Sequence, residues 1–207
     1  MNQLLPAIIT QRIDYIKDRG EYRDALDHRL VQWLKEAGFL SYSITNAIDV
    51  TKGQKYYDDW ISTIKPSLIV LSGGNNLQEY PTRDNVEKYL LDFAKKQNLP
   101  VLGICRGMQL MANYFGVELE PVINHVGAQH TLTIDKEQIS VNSYHNYRLR
   151  SVPEDFMVIA RADDGTIEVM QHHTFPWLGF MWHPEREQPF QEWEIKKIQK
   201  LVYEAKP

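Results

Sequence analysis

Cysteine is almost missing from this chain: 207 residues hold one, Cys105. An internal disulfide framework is thereby excluded, and nothing points to an oxidising compartment. Positive charge is in deficit, with 23 Lys and Arg against 27 Asp and Glu and a formal net charge of −4. A basic footprint for nucleic acid is absent. No apolar run approaches the roughly 20 residues of a membrane span. The opening stretch, MNQLLPAIITQRID, has neither the basic start nor the cleavage site of a signal peptide. Ser/Gly/Pro-rich linkers, repeats and low-complexity tracts are lacking too. The expectation is one cytoplasmic domain over residues 1–207, without nucleic-acid or membrane partners, long enough to bury a core unaided.

What is present is an alternation of short apolar runs with longer amphipathic stretches. Strands are expected at Leu5–Thr10, Pro66–Ser72 and Pro100–Ile104. Helices are expected at Asp24–Gly38, Thr82–Asn98 and Arg106–Phe115. Continuous apolar strands between helices imply a sheet buried on both faces: an α/β, doubly wound, mostly parallel fold. The second half differs. His130–Val141 alternates as antiparallel strands do, and further strands are expected at Phe156–Ala162, Ile167–Gln171 and Leu178–Trp182, before a closing helix at Glu192–Ala205. A small antiparallel extension follows from this.

The most informative segment is LGICRGMQ, Leu102 to Gln109. Gly103 and Gly107 flank Cys105 in the G-x-nucleophile-x-G spacing of a sharp strand-to-helix turn. A helix N-terminus aimed at the sulfur favours the thiolate. A lone cysteine is more often a small buried hydrophobe; the two glycines reverse that preference. A thiolate nucleophile needs an oriented acid/base. In FMWHPE, a strand delivers His183, and Glu185, two residues on, points to the same side. Taken alone, His-Pro-Glu is a strand-end turn; the upstream elbow makes it a candidate partner. Ser72-Gly73-Gly74-Asn75-Asn76 follows a buried strand but lacks the Lys-Ser/Thr of a phosphate loop. Gly73 and Gly74, with the backbone N–H of Arg106, suit an oxyanion hole instead.

SGGNN, GICRGMQ and WHPE, in that order, resemble the class I glutamine amidotransferase-like superfamily. The resemblance implies a flavodoxin-like class I glutaminase fold and attack on a γ-glutamyl carbonyl. It casts Cys105 as nucleophile, His183 as acid/base and Glu185 as its orienter. It further implies that Gln109 helps hold the glutamyl group. The backbone of Val141–His145 (VNSYH: Asn142, Ser143, Tyr144, His145) would receive the α-amino and α-carboxyl groups. The Arg after the nucleophile and VNSYH look more like the free-standing γ-glutamyl hydrolases of peptidase family C26 than like amidotransferase subunits. Gln11–Asp14 and Glu21–Arg29 look more like the γ-glutamyl-CDP-amidate hydrolases of capsule phosphoramidate synthesis than like the γ-glutamyl-GABA hydrolases.

Arg12, Arg19, Arg23 and Arg29 are expected near a strand end and the helix after it, where arginines suit a diphosphate. Ordinary pairing with Asp14, Asp18, Glu21 and Asp24 is the plainer account of each, and Arg12 is the best candidate ligand. His172-His173 and His125…His130 lack zinc-type spacing, so no metal is expected, and the chemistry asks for no cofactor. Trp60, Trp177, Trp182 and Trp193 are expected in the core or a pocket wall. Asn146-Tyr147 are candidates for the leaving-group side. The expected partner is a small γ-glutamyl molecule, with the chain a monomer or homodimer. Two alternatives stay open: a glutaminase subunit feeding ammonia to a synthetase, and a thiol sensor on the same scaffold.

Overall fold

A computed structural model describes residues 3–134 and 136–205. The ends of the expected 1–207 span, and Asp135 within the expected His130–Val141 alternation, lie outside the described residues. In chain order the elements begin with β1 (Leu5–Ile9), β2 (Arg12–Ile16), β3 (Glu21–Ala25), α1 (His28–Glu36), β4 (Phe39–Ser43), α2 (Val50–Ile64) and β5 (Leu68–Leu71). They continue with α3 (Pro81–Gln97), β6 (Val101–Ile104), α4 (Arg106–Tyr114), β7 (Leu119–Pro121), β8 (Val126–Ile134) and β9 (Glu137–Tyr144). The last are β10 (Tyr147–Leu149), β11 (Phe156–Arg161), β12 (Ile167–His172), β13 (Trp177–Phe180) and α5 (Glu192–Glu204).

Seven strands form the main sheet in the order β11-β12-β13-β6-β5-β1-β4. The five from β13 to β4 run parallel, and β12 and β11 add an antiparallel edge. This is the mostly parallel, helix-flanked sheet that the sequence implies. Alternate residues of each buried strand feed opposite faces. Ala7, Ile9, Leu68 and Val70 pack with Leu30, Trp33 and Leu34 of α1 and Ile198 and Leu201 of α5. Ile8, Ile69 and Leu71 pack with Tyr57 and Ile61 of α2, Val86 and Leu90 of α3, and Met108 and Met111 of α4. Trp177 and Trp182 are fully buried, as core tryptophans should be.

One expected boundary is corrected. Asp24–Gly38 is not all helix: Glu21–Ala25 pairs antiparallel with Arg12–Ile16, and α1 starts at His28. Two causes act there. Glu21–Ala25 finds a complete ladder partner in β2. Asp27 then caps the helix by accepting a 2.9 Å hydrogen bond from the Arg29 N–H. The N-terminal arginines therefore sit on and around a β-hairpin rather than at a strand-to-helix junction. A second hairpin, β8–β9, forms the main antiparallel extension.

Candidate active site

The carboxyl ends of β1, β5, β6 and β13 lie along one edge of the sheet, and Arg12, Gly73, Cys105 and His183 follow them within three residues. That is where parallel sheets bind ligands. Cys105 is the single residue between β6 and α4, with φ +51° and ψ −106°. A positive φ is strained for a side-chain-bearing residue, and such strain is held only where the surroundings over-determine it. The surroundings here are crowded. A Cβ on residue 103 would lie 2.6 Å from Met111 Sδ, and one on residue 107 would lie 2.1 Å from the Leu71 carbonyl oxygen. Only glycine fits at either position.

His183 follows β13, and its Nδ1 lies 2.7 Å from Glu185 Oε1. An ionised carboxylate only accepts, so Nδ1 carries a proton and Nε2 is the nitrogen left for chemistry. Burial alone would lower the His183 pKa. The charge of a Cys105 thiolate, the hydrogen bond to it and the Glu185 carboxylate outweigh burial, and the imidazole is raised to about 9. Asn142 braces this histidine through its backbone: its Oδ1 accepts from the His183 N–H at 3.1 Å and its Nδ2 donates to the His183 carbonyl at 2.8 Å. Beneath it, Trp182 stacks on Phe180 and donates through Nε1 to Glu194 at 2.7 Å. Burial pushes Glu194 up to about 8.

The glycine loop is pinned from two sides. Arg83, wholly buried on α3, donates to the carbonyls of Ser72 (2.8 Å), Gly73 (3.0 Å) and Gly74 (2.6 Å). With the carbonyls drawn down to one guanidinium, the loop has a fixed direction. Asn75 locks the other side onto β2, accepting from the Ile13 N–H at 2.8 Å and donating to its carbonyl at 3.0 Å. Arg83 also pairs with Glu87 at 3.0 Å, and Glu87 and Asp84 both pair with the Arg106 side chain. Burial opposes ionisation of Glu87, but Arg106 and Arg83 overcome it and hold its pKa low. Two arginines and two carboxylates thus form a buried network under both Gly73-Gly74 and the elbow.

Other candidates fall into place around two clefts. One, of about 340 Å³, is lined by Cys105, Gln109, Tyr144, His145 and Asn146, among others. Gln109 donates to the Tyr147 carbonyl at 3.0 Å. The second, of about 210 Å³, is lined by Arg12, Asp27, Leu30 and Glu185, among others. The clefts meet at Gly74, His183 and Arg186. Ser143 turns away from both, donating to the His125 carbonyl at 2.6 Å, and Asn142 serves the His183 backbone, so neither side chain faces the cleft. Arg12 pairs with Asp14 at 3.0 Å. Arg23 and Arg29 make ordinary pairs with Glu21 and Asp27.

Sequence reasoning missed Arg83, Glu87 and Arg186. Arg186 directly follows the His-Pro-Glu motif and lies over the Tyr144 ring at 4.4 Å, a signal legible in the run WHPER. Arg83 shows only its i,i+4 spacing to Glu87, which is ordinary on a helix; its loop partners are backbone carbonyls, which no side-chain pattern marks. Nor does any spacing along the chain join His125 and His130 to His145 and Glu168, which the structure places together.

Comparison with known proteins identifies the family and the fold. Residues 21–195 match the model of the class-I glutamine amidotransferases. The chain belongs to that family. A γ-glutamyl-CDP-amidate hydrolase of Campylobacter jejuni is 37% identical to this class I member over 135 residues, covering 62% of this chain and 67% of that one. The glutamine-hydrolysing GMP synthase component of Pyrococcus furiosus is 31% identical over 170 residues, covering 76% and 82%. A solved protein from Thermoplasma acidophilum superposes with a TM-score of 0.71 at 22% identity, over 99% of this chain and 96% of that one, which establishes the fold.

Proposed function

We infer that this amidotransferase-family protein is a free-standing hydrolase that releases glutamate from a γ-glutamyl amide. The observation that carries the reading is a strained elbow at Cys105 that lines one cleft with His183, whose Nδ1 is bonded to Glu185. The Cys105 thiolate attacks the γ-carbonyl carbon, and the oxygen takes up the negative charge. The N–H groups of the Gly73-Gly74 loop and of Arg106 stabilise that oxyanion; one such donor is worth about 3–4 kcal/mol. The C–N bond breaks as His183 gives its proton to the departing nitrogen. A γ-glutamyl thioester remains on Cys105. His183 then takes a proton from water, the hydroxide adds, the C–S bond breaks and glutamate leaves.

The substrate we infer is γ-glutamyl-CDP-amidate, in the setting of capsule phosphoramidate synthesis. The glutamyl group occupies the cleft of Gln109 and Tyr144. The diphosphate lies on the side of Arg12 and Arg186, since guanidinium groups match phosphate oxygens. The similarity to the Campylobacter hydrolase supports this choice. The similarity to the glutamine-hydrolysing GMP synthase component favours a second reading, a glutaminase that hands ammonia to a synthetase.

Glutamate release from γ-glutamyl-CDP-amidate, γ-glutamyl-GABA, a folate-type γ-glutamyl peptide and glutamine separates these. Strong release from the CDP conjugate, with little from glutamine, is the expected result. Release from glutamine alone, rising with an added synthetase, would favour the second reading.

A further inference from the structure

A cluster behind the glutamyl-binding segment shares only His145 with the cleft. His125, just before β8, His130 on β8, His145, just after β9, and Glu168 on β12 each offer one ligand atom, and these atoms lie within 4.8 Å of one another. Glu168 and the side chain of His145 are fully buried. Three chain segments meet there: the one carrying His125 and His130, the end of β9 and β12.

The hydrogen bonds around the cluster fix its protons. His125 Nε2 lies 2.9 Å from Asp164 Oδ2, and His145 Nδ1 lies 3.0 Å from the Tyr147 carbonyl oxygen. Both partners only accept, so the protons of the neutral rings sit on those outward nitrogens. The two inward nitrogens, His125 Nδ1 and His145 Nε2, then face each other at 3.3 Å, lone pair to lone pair. Glu168 Oε1 lies 2.9 Å from His130 Nδ1 and 3.6 Å from His145 Nε2. Its second oxygen, Oε2, is buried with no hydrogen-bond partner. Ring nitrogens converging beside a buried carboxylate with one oxygen unsatisfied suit a cation.

We propose that His125, His130, His145 and Glu168 form a structural site for a zinc-type divalent ion. Three imidazoles and a carboxylate are a zinc donor set, and four protein ligands leave no open position, as in structural rather than catalytic sites. At Zn–N distances of about 2.0–2.1 Å, tetrahedral ligands stand about 3.3 Å apart; the 3.3 Å and 3.6 Å separations match that edge, the 2.9 Å between His130 and Glu168 is shorter, and all lie within 4.8 Å, so the side chains need only small shifts to close on an ion. The outer shell fits as well, because metal-bound histidines donate their far N–H to a carboxylate or carbonyl, here Asp164 and Tyr147. The ion ties the β8–β9 hairpin to the antiparallel edge of the main sheet. It also fixes the Tyr147 carbonyl that receives Gln109. The proposal is independent of the assigned hydrolysis, since none of its readouts is turnover.

The test is metal analysis of untagged full-length protein, purified without a metal column, exposed to zinc and freed of excess. About one zinc ion per chain is expected. Chelation should lower Tm by several degrees and zinc should restore it. Cobalt(II) in place of zinc should give the visible bands of a four-coordinate ion. Asp164→Asn alters only a partly exposed outer partner, so it should fold, and should bind zinc roughly 10–100-fold more weakly. Negligible zinc uptake with Tm unmoved by zinc and chelator would overturn the proposal and leave a proton holding the cluster. So would a His125→Gln variant that folds and binds zinc as tightly as the wild type.

Discussion

Gly73 and His183 touch so closely that a Cβ on residue 73 would come within 2.6 Å of the imidazole Cε1. The loop proposed to receive the oxyanion and the ring proposed to move the proton are therefore one packed unit. Gly73→Ala should push His183 off its bond to Glu185 and leave the core untouched. A displacement of about 1 Å costs on the order of 10²-fold in rate. The expected outcome is a loss of that size in kcat/KM for the γ-glutamyl conjugate with Tm nearly unchanged. Full activity in this variant would show that the contact does not constrain the histidine.

Arg83 should matter for stability more than its distance from the sulfur suggests. Its removal leaves Glu87 with Arg106 as its remaining arginine partner and takes the guanidinium from three carbonyls of the glycine loop. Breaking one partner of a buried charge network costs about 3–5 kcal/mol. Urea unfolding of Arg83→Ala should show a loss in that range. A loss under about 1 kcal/mol would mean that the network is no more than a surface-like pairing.

The proton on His183 sets an alkaline limit. The folded pKa of about 9 lies above the ordinary 6.5, so the protonated ring persists at neutral pH and is lost as pH rises through about 9. The kcat/KM profile of the wild type should fall above that point. Glu185→Gln removes one of the influences that hold the proton, so its alkaline limb should shift to lower pH. An unshifted limb would detach Glu185 from the control of His183.

Glu194 gives a prediction of opposite use. Its folded pKa of about 8 lies above the ordinary 4.5 because it is buried. The folded protein therefore holds a proton that the unfolded chain has released. The stability this contributes is present below about pH 4.5 and is lost as pH rises through about 8. Glu194→Gln keeps an acceptor for Trp182 and cannot ionise. It should match the wild type at pH 4.5 and exceed it by roughly 1–3 kcal/mol above pH 8. Equal urea midpoints at both pH values would contradict the buried, protonated state.

The parallel core was legible because it writes itself locally: PSLIVLS and PVLGI are continuous apolar runs. The elbow was legible for a similar reason, since Gly103 and Gly107 answer steric demands within a few residues of Cys105. The β2–β3 hairpin was not. Half of its residues are charged and only Ile13 is buried, so its short alternation is masked by a helix-like charge pattern. Arg83 and the cluster of His125, His130, His145 and Glu168 were hidden for another reason. Their partners come from separate strands or from backbone atoms, and no spacing along the chain encodes such meetings. The side chains of Asn142 and Ser143 serve the scaffold, which leaves the backbone of Val141–His145 as the part expected to meet the glutamyl group.

The account rests on a covalent bond between Cys105 and the glutamyl group, and intact-mass analysis of acid-quenched turnover tests that bond directly. Wild-type protein mixed with γ-glutamyl-CDP-amidate and quenched early should carry one added glutamyl group, mapped to Cys105. Cys105→Ala should carry none and release no glutamate. Glutamate release by Cys105→Ala at the wild-type rate would contradict the mechanism at its first step.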